Sequence, residues 1–232
     1  MNETACETRV PHRPGIWTLT GLALALLGPL ALATPPMQRV YAIFRPDTHA
    51  VFAGQASLWV VLALALACLV LGERLPLAAV GLVRPHPRSI WTGLAIGAAV
   101  YAALFALVAA LLKLGLFDAD KASEIIGNWP LWLRVFVLIT AGVVEEALYR
   151  GFAIERLTAL TGSRGLAAVL SLAAFTAAHV PFWGLAALAT PIVGGGFFTL
   201  VYLWRRDLVA CMVAHIAVDF VGLVLAPALG VH

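Results

Sequence analysis

Glu145-Glu146-Ala147-Leu148-Tyr149-Arg150 closes an apolar run that begins at about Leu131. Ionisable side chains are costly inside a bilayer, so two adjacent carboxylates there need a chemical reason. Further on, His179, His215 and Asp219 also sit within apolar stretches. Five such groups in one hydrophobic chain predict a buried polar site, and the catalytic site of an intramembrane hydrolase uses all of them.

The surrounding chain supports a membrane setting. Of its residues 62% are hydrophobic and 12% charged, against about 25% charged in soluble domains; mean hydropathy is +0.96. With apolar runs near twenty residues, this predicts an all-α, polytopic transmembrane bundle. Seven candidate spans fall at about 16–34, 51–71, 90–112, 131–148, 166–180, 185–204 and 208–229. Pro35-Pro36, Pro85-His86-Pro87 and Pro130 mark loops or helix starts. Residues 1–15 form a polar tail, and the first apolar run after it is long enough to remain as an uncleaved helix. Residues 16–232 then make one transmembrane domain, with the chemistry in 131–229. The formal charge of +3 comes from arginines spread over loops, which argues against a nucleic-acid partner. Cys6, Cys68 and Cys211 are isolated, giving neither a disulfide framework nor a CxxC metal site.

The Lys and Arg positions predict orientation. Arg9, Arg13, Arg74, Arg84, Arg88, Arg156, Arg164, Arg205 and Arg206 fall on one side of the seven spans. Arg39, Arg45, Lys113 and Lys121 fall on the other, partly balanced by acids in the loop holding Asp118, Asp120 and Glu124. The bias places the N-terminus and the site on the cytoplasmic side and His232 outside.

On an α-helix, residues three and four apart are neighbours. Glu146 and Arg150 therefore share a face and can pair, whereas Glu145 points about 100° away, toward Leu148, Tyr149 and Phe152. The expected division of labour is a fixed Glu146–Arg150 ion pair and a Glu145 carboxylate left free as a general base. Taken alone, the pair reads equally as an interfacial salt bridge, and His179, just before Pro181, as a structural histidine. His215 and Asp219 lie four apart, well inside the last span, where the acid can orient the imidazole. Depth is harder to reconcile. Glu145 and His215 fall roughly 5–10 Å from the ends of their spans at 1.5 Å per residue, and His179 nearer 20 Å, so tilt or a later helix start is needed. Gly194-Gly195-Gly196 allows close helix approach, either at the site or as ordinary packing.

Other intramembrane chemistries fit poorly. The HExxH zinc motif is absent, only Asp219 qualifies as a buried aspartate, the GxSG nucleophile is missing, and the last span has no lysine for retinal.

The ordered set Glu145-Glu146-xxx-Arg150, Phe175-xxx-His179 and His215-xxx-Asp219 resembles the EExxxR, FxxxH and HxxxN/D motifs of the CAAX protease and bacteriocin-processing (Abi) family. The resemblance covers roughly 131–225. It implies an intramembrane endopeptidase acting on a membrane-presented peptide or protein tail, prenylated CAAX tails being the family's best-known substrate. By the same resemblance Glu145 would activate water, His179 would position water or substrate, and Arg150 would hold Glu146. His215 with Asp219 would stabilise the oxyanion or protonate the leaving amine. Eukaryotic CAAX proteases tend to carry asparagine at the position of Asp219. An aspartate there acts either protonated or by orienting His215. The resemblance leaves open a divalent metal such as zinc, with Glu145, His179 and His215 as candidate ligands, and a metal-free route. The rival readings are a proton-coupled transporter and a non-catalytic immunity or scaffold protein. Compact length and short loops favour a prokaryotic cell membrane.

Overall fold

The computed structural model describes residues 14–116, 128–183 and 188–229, with only the backbone described for Phe182 and Trp183. The expected N-terminal tail (apart from its last two residues), the acidic loop at Asp118–Glu124, Arg9, Arg13, Cys6 and His232 lie outside the described residues.

Proline and glycine set the helix limits. α1 (Ile16–Leu32) and the short α2 (Pro35–Tyr41) meet at a 69° bend, with proline opening α2. α3 (Asp47–Ala67) runs on through a wide turn at Cys68–Gly72. α4 (Pro87–Lys113) also opens on proline, and the His86 side chain accepts from the Arg88 N–H at 3.1 Å. α5 (Leu131–Thr140) passes without a break through wide, π-type turns at Ala141–Ala153 into α6 (Ile154–Thr161), which stops at left-handed Gly162. α7 (Arg164–Trp183) and α8 (Ala189–Arg205) follow. α9 (Leu208–Phe220) is capped by Asp207, whose carboxylate accepts from the Ala210 N–H at 3.0 Å, and continues through Val221–Leu225 to Ala228. No strand occurs among the described residues.

Among the described residues four helical runs are long and apolar enough to cross a bilayer: Asp47–Gly72, Pro87–Lys113, Arg164–Pro181 and Leu208–Ala228. Counting the bent α1–α2 pair as one span makes five. Large apolar side chains such as Leu27, Val60, Trp91, Phe105, Val169 and Leu200 stand exposed on the outside. A soluble fold would bury such a surface, and lipid is the solvent that suits it.

The glutamate-bearing helix extends well past Leu148, where the sequence reading ended the span. It reaches Thr161, because Glu146 and Arg150 are buried and paired within it and do not mark its end. Glu145 is sixteen residues from Thr161, and His179 is fifteen residues from Arg164, so both stand roughly 20 Å from that end of the bundle. The longer helix puts the two side chains at similar helical distances from that end, where the shorter span called for tilt or a later helix start.

One end of the bundle is tied by ion pairs. Arg156 Nη1 lies 3.1 Å from Glu73 Oε2, and Glu155 receives Arg206 at 2.7 Å and Arg164 at 3.7 Å. These contacts tie the segments after α3 and α8, and the start of α7, to α6 at one end of the bundle.

α4 seats closely on α9. A Cβ on Gly93 would fall 2.7 Å from the Ala210 carbonyl oxygen, and one on Gly97 would fall 2.9 Å from that of Ala214. Backbone atoms cannot step aside, so this small-xxx-small pair fixes the helix that carries His215 and Asp219. Gly93→Val is expected to lower stability by about 1–3 kcal/mol through overpacking, read as a drop in Tm of the detergent-solubilised protein.

Candidate functional site

Glu146 and Arg150 form the centre of the site. The guanidinium Nη1 donates to Glu146 Oε1 at 2.9 Å, both side chains are buried, and Nη2 donates to the Gly195 carbonyl at 3.0 Å. The Arg150 plane also lies 4.2 Å from the Phe175 ring centroid and 5.7 Å from that of Phe198. Charge pairing, a carbonyl and two aromatic faces thus enclose one cation.

The close approach of α8 depends on Gly195. A Cβ there would sit 2.7 Å from Phe175 Cε1 and 2.9 Å from Arg150 Nη2, whereas one on Gly196 would meet nothing. Of the three glycines, then, Gly195 belongs to the site. Gly195→Ala is expected to cost about 1–3 kcal/mol net, even after the roughly 1 kcal/mol gained in helix propensity. The matching measurement is the Tm of the variant beside the parent.

His215 lies across from Glu146. Its Nδ1 is 2.8 Å from Glu146 Oε1, and its Nε2 is 3.5 Å from Asp219 Oδ2. The first is a close hydrogen bond; the second is long. Asp219 flanks His215 as the four-residue spacing predicts, but the shorter tie runs to Glu146, 69 residues away, where no local spacing could reveal it. The Phe198 ring stacks on the imidazole at 4.9 Å and 28°, and Phe198 is likewise absent from the sequence-derived set. No periodic signal singles it out among the apolar residues of α8.

His179 is partly exposed near the end of α7. Its Nδ1 lies 2.8 Å from the Phe175 carbonyl oxygen, which can only accept, so Nδ1 carries the proton and Nε2 is left available. The Phe175 ring packs on it at 4.5 Å. Phe175 and Phe198 therefore each cover one face of Arg150 and one histidine.

Glu145 is partly exposed and forms no hydrogen bond or ion pair among the described residues. It stands within electrostatic reach of His179, His215, Asp219 and Arg150. All six sequence-predicted residues thus lie in one cluster, with Glu146, Arg150 and His215 buried and Glu145, His179 and Asp219 partly exposed. The wide-turned segment carrying the glutamates is unusual, and such turns recur at functional sites. It is pinned by Ser171, whose hydroxyl donates to the Tyr149 carbonyl at 2.6 Å.

These side chains do not form a metal-holding set. Among the described residues no three His, Cys, Asp or Glu side chains converge as ligands would. Both nitrogens of His215 face carboxylates, and His179 offers only Nε2. Zinc sites take at least three protein ligands.

The bundle and its cluster define a polytopic helical membrane protein with a buried Glu–Arg–His centre. Residues 127–221 match the family model described as Type II CAAX prenyl endopeptidase Rce1-like, which supports the resemblance of this stretch to the CAAX protease and bacteriocin-processing family. The matched range nearly coincides with the 131–225 expected from the motifs. No curated protein and no solved structure matches the chain.

Proposed function

We propose that this protein is an intramembrane endopeptidase that hydrolyses a peptide bond of a membrane-presented peptide or protein tail with a water activated by Glu145. The observation that carries the reading is the unequal position of the two adjacent glutamates. Glu146 is buried and committed to Arg150 and His215, whereas Glu145 is partly exposed, unpaired among the described residues, and faces two histidines and Asp219. A structural salt bridge needs only the first arrangement.

In this reading Glu145 takes a proton from water as the water oxygen bonds to the scissile carbonyl carbon. The developing oxyanion is stabilised by His215, which Glu146 and Phe198 hold in orientation. Glu146 holds Nδ1 at 2.8 Å, while the long 3.5 Å contact to Asp219 leaves Nε2 as the nitrogen that turns to the oxyanion. Asp219 then serves by orienting His215. His179, with Nε2 available, positions the water or the substrate. Collapse of the tetrahedral intermediate breaks the C–N bond, and the proton held by Glu145 passes to the leaving amine. The products are a carboxylate and an amine.

The wider reading is a single transmembrane domain over 16–232, with 131–229 as the catalytic core. Its seven crossings would include α1, the charged α5–α6 run and the short α8. The ion-paired, arginine-rich end would face the cytoplasm of a prokaryotic cell, with the site open to that side. Prenylated tails are one substrate class; unmodified peptides are the other.

The test is cleavage of a quenched-fluorescent peptide library, with and without lipidated tails, by detergent-purified protein and by Glu145→Gln. Cleavage by the parent alone supports the reading. Equal cleavage by both removes Glu145 from the chemistry. Cleavage by neither, with both folded, counts against a hydrolase.

A further inference from the structure

Tyr149 is a buried phenol that the proposed reaction leaves unused. It is 1% exposed, and its hydroxyl is enclosed without a hydrogen-bond partner among the described residues. An orphaned buried donor is uncommon and calls for an explanation. The ring packs edge-on against Phe175 at 5.3 Å and 83°, and the Ser171 hydroxyl donates to the Tyr149 carbonyl.

The register narrows the choice of partner. Glu145 and Tyr149 are four residues apart in the same wide-turned segment in which Glu146 and Arg150 form a 2.9 Å ion pair at the same spacing. The charged groups acting on Tyr149 are Glu145 and Arg150. Arg150 has no acceptor atom, and it already donates to Glu146 and Gly195. Glu145 has acceptor oxygens, is partly exposed, and has no committed partner among the described residues.

We propose that Tyr149 is a positioning residue for Glu145: its hydroxyl donates a hydrogen bond to the Glu145 carboxylate and holds that carboxylate toward His179 and His215. The role rests on the hydrolase reading, with Glu145 as its base. Two parallel i,i+4 pairs then build the site from one helix. Glu146–Arg150 is the fixed strut, and Glu145–Tyr149 aims the working acid. A phenol suits the second pair because it orients the carboxylate without adding a charge beside it.

The experiment uses the full-length protein in detergent and a double-mutant cycle of Tyr149→Phe with Glu145→Ala. Phenylalanine keeps the ring and its packing on Phe175, so the fold is retained. The expected result is a Tm drop with Tyr149→Phe in the parent that disappears in the Glu145→Ala background. With a cleaved peptide, Tyr149→Phe should also lower kcat about tenfold with KM unchanged, a split that a purely structural role would not produce. A Tm that is unchanged or raised by Tyr149→Phe, as removal of a truly orphaned hydroxyl would give, overturns the proposal, as does kcat within twofold of the parent. The thermal cycle needs no substrate. Failure of the hydrolase reading registers separately, as full cleavage by Glu145→Gln.

Discussion

Glu145→Gln is expected to reduce kcat by about 10²–10⁴-fold, the range that general-base catalysis supplies, while leaving the fold intact. Glutamine matches glutamate in shape and can still accept a hydrogen bond, but it cannot take a proton from water. Stability should hold because Glu145 is partly exposed and contributes no ion pair among the described residues. Tm within about 2 °C of the parent, together with lost cleavage, separates chemistry from folding. The neighbouring change gives the contrast. Glu146→Gln removes the shared partner of Arg150 and His215, so it should lose both Tm and activity. If the two variants behave alike in Tm, the division of labour between the glutamates is wrong. A Glu145→Gln protein that retains more than a tenth of the parent kcat assigns the base to another group.

The contrast between these glutamates was half legible in the sequence. Glu146 and Arg150 lie four apart, and helical geometry alone pairs them. Asp219 beside His215 follows by the same rule. The Glu146–His215 bond could not be read this way, since it joins two helices through packing that leaves no local spacing. Phe198 was hidden for a related reason: it is one apolar residue among many until its ring is found on His215. Gly195 was visible as part of a glycine run, but only the position of Arg150 and Phe175 separates it from its neighbours. Charge is the usual sign that a span has ended, which is why the expected span stops at Leu148. Here the charges are neutralised inside the bundle, and the helix continues to Thr161. Helix class and membrane character follow from composition alone. The count of crossings does not, because runs such as 131–161 mix apolar length with buried charge.

Arg150→Ala carries the largest expected stability effect. Arg150 is 1% exposed and Glu146 0%, so the truncation leaves a buried carboxylate without its cation. Breaking one side of a buried pair costs about 3–5 kcal/mol, and the low-dielectric surroundings of a membrane bundle do not soften it. The Gly195 carbonyl also loses its donor, and the faces of Phe175 and Phe198 lose the group between them. Lysine should not rescue this. An ammonium lacks the planar fork that reaches Glu146 and Gly195 together and fits against the aromatic rings. Removal of both charges is a different case. Arg150→Met with Glu146→Gln eliminates the unpaired carboxylate and retains an amide oxygen to accept from His215. The double variant should therefore recover much of the Tm lost in Arg150→Ala, while cleavage stays low because His215 has lost the charge that orients it. Thermal unfolding of the three variants beside the parent checks the ranking. Equal Tm for Arg150→Ala and Arg150→Met/Glu146→Gln would mean that the arginine stabilises the bundle by filling space and not by neutralising Glu146.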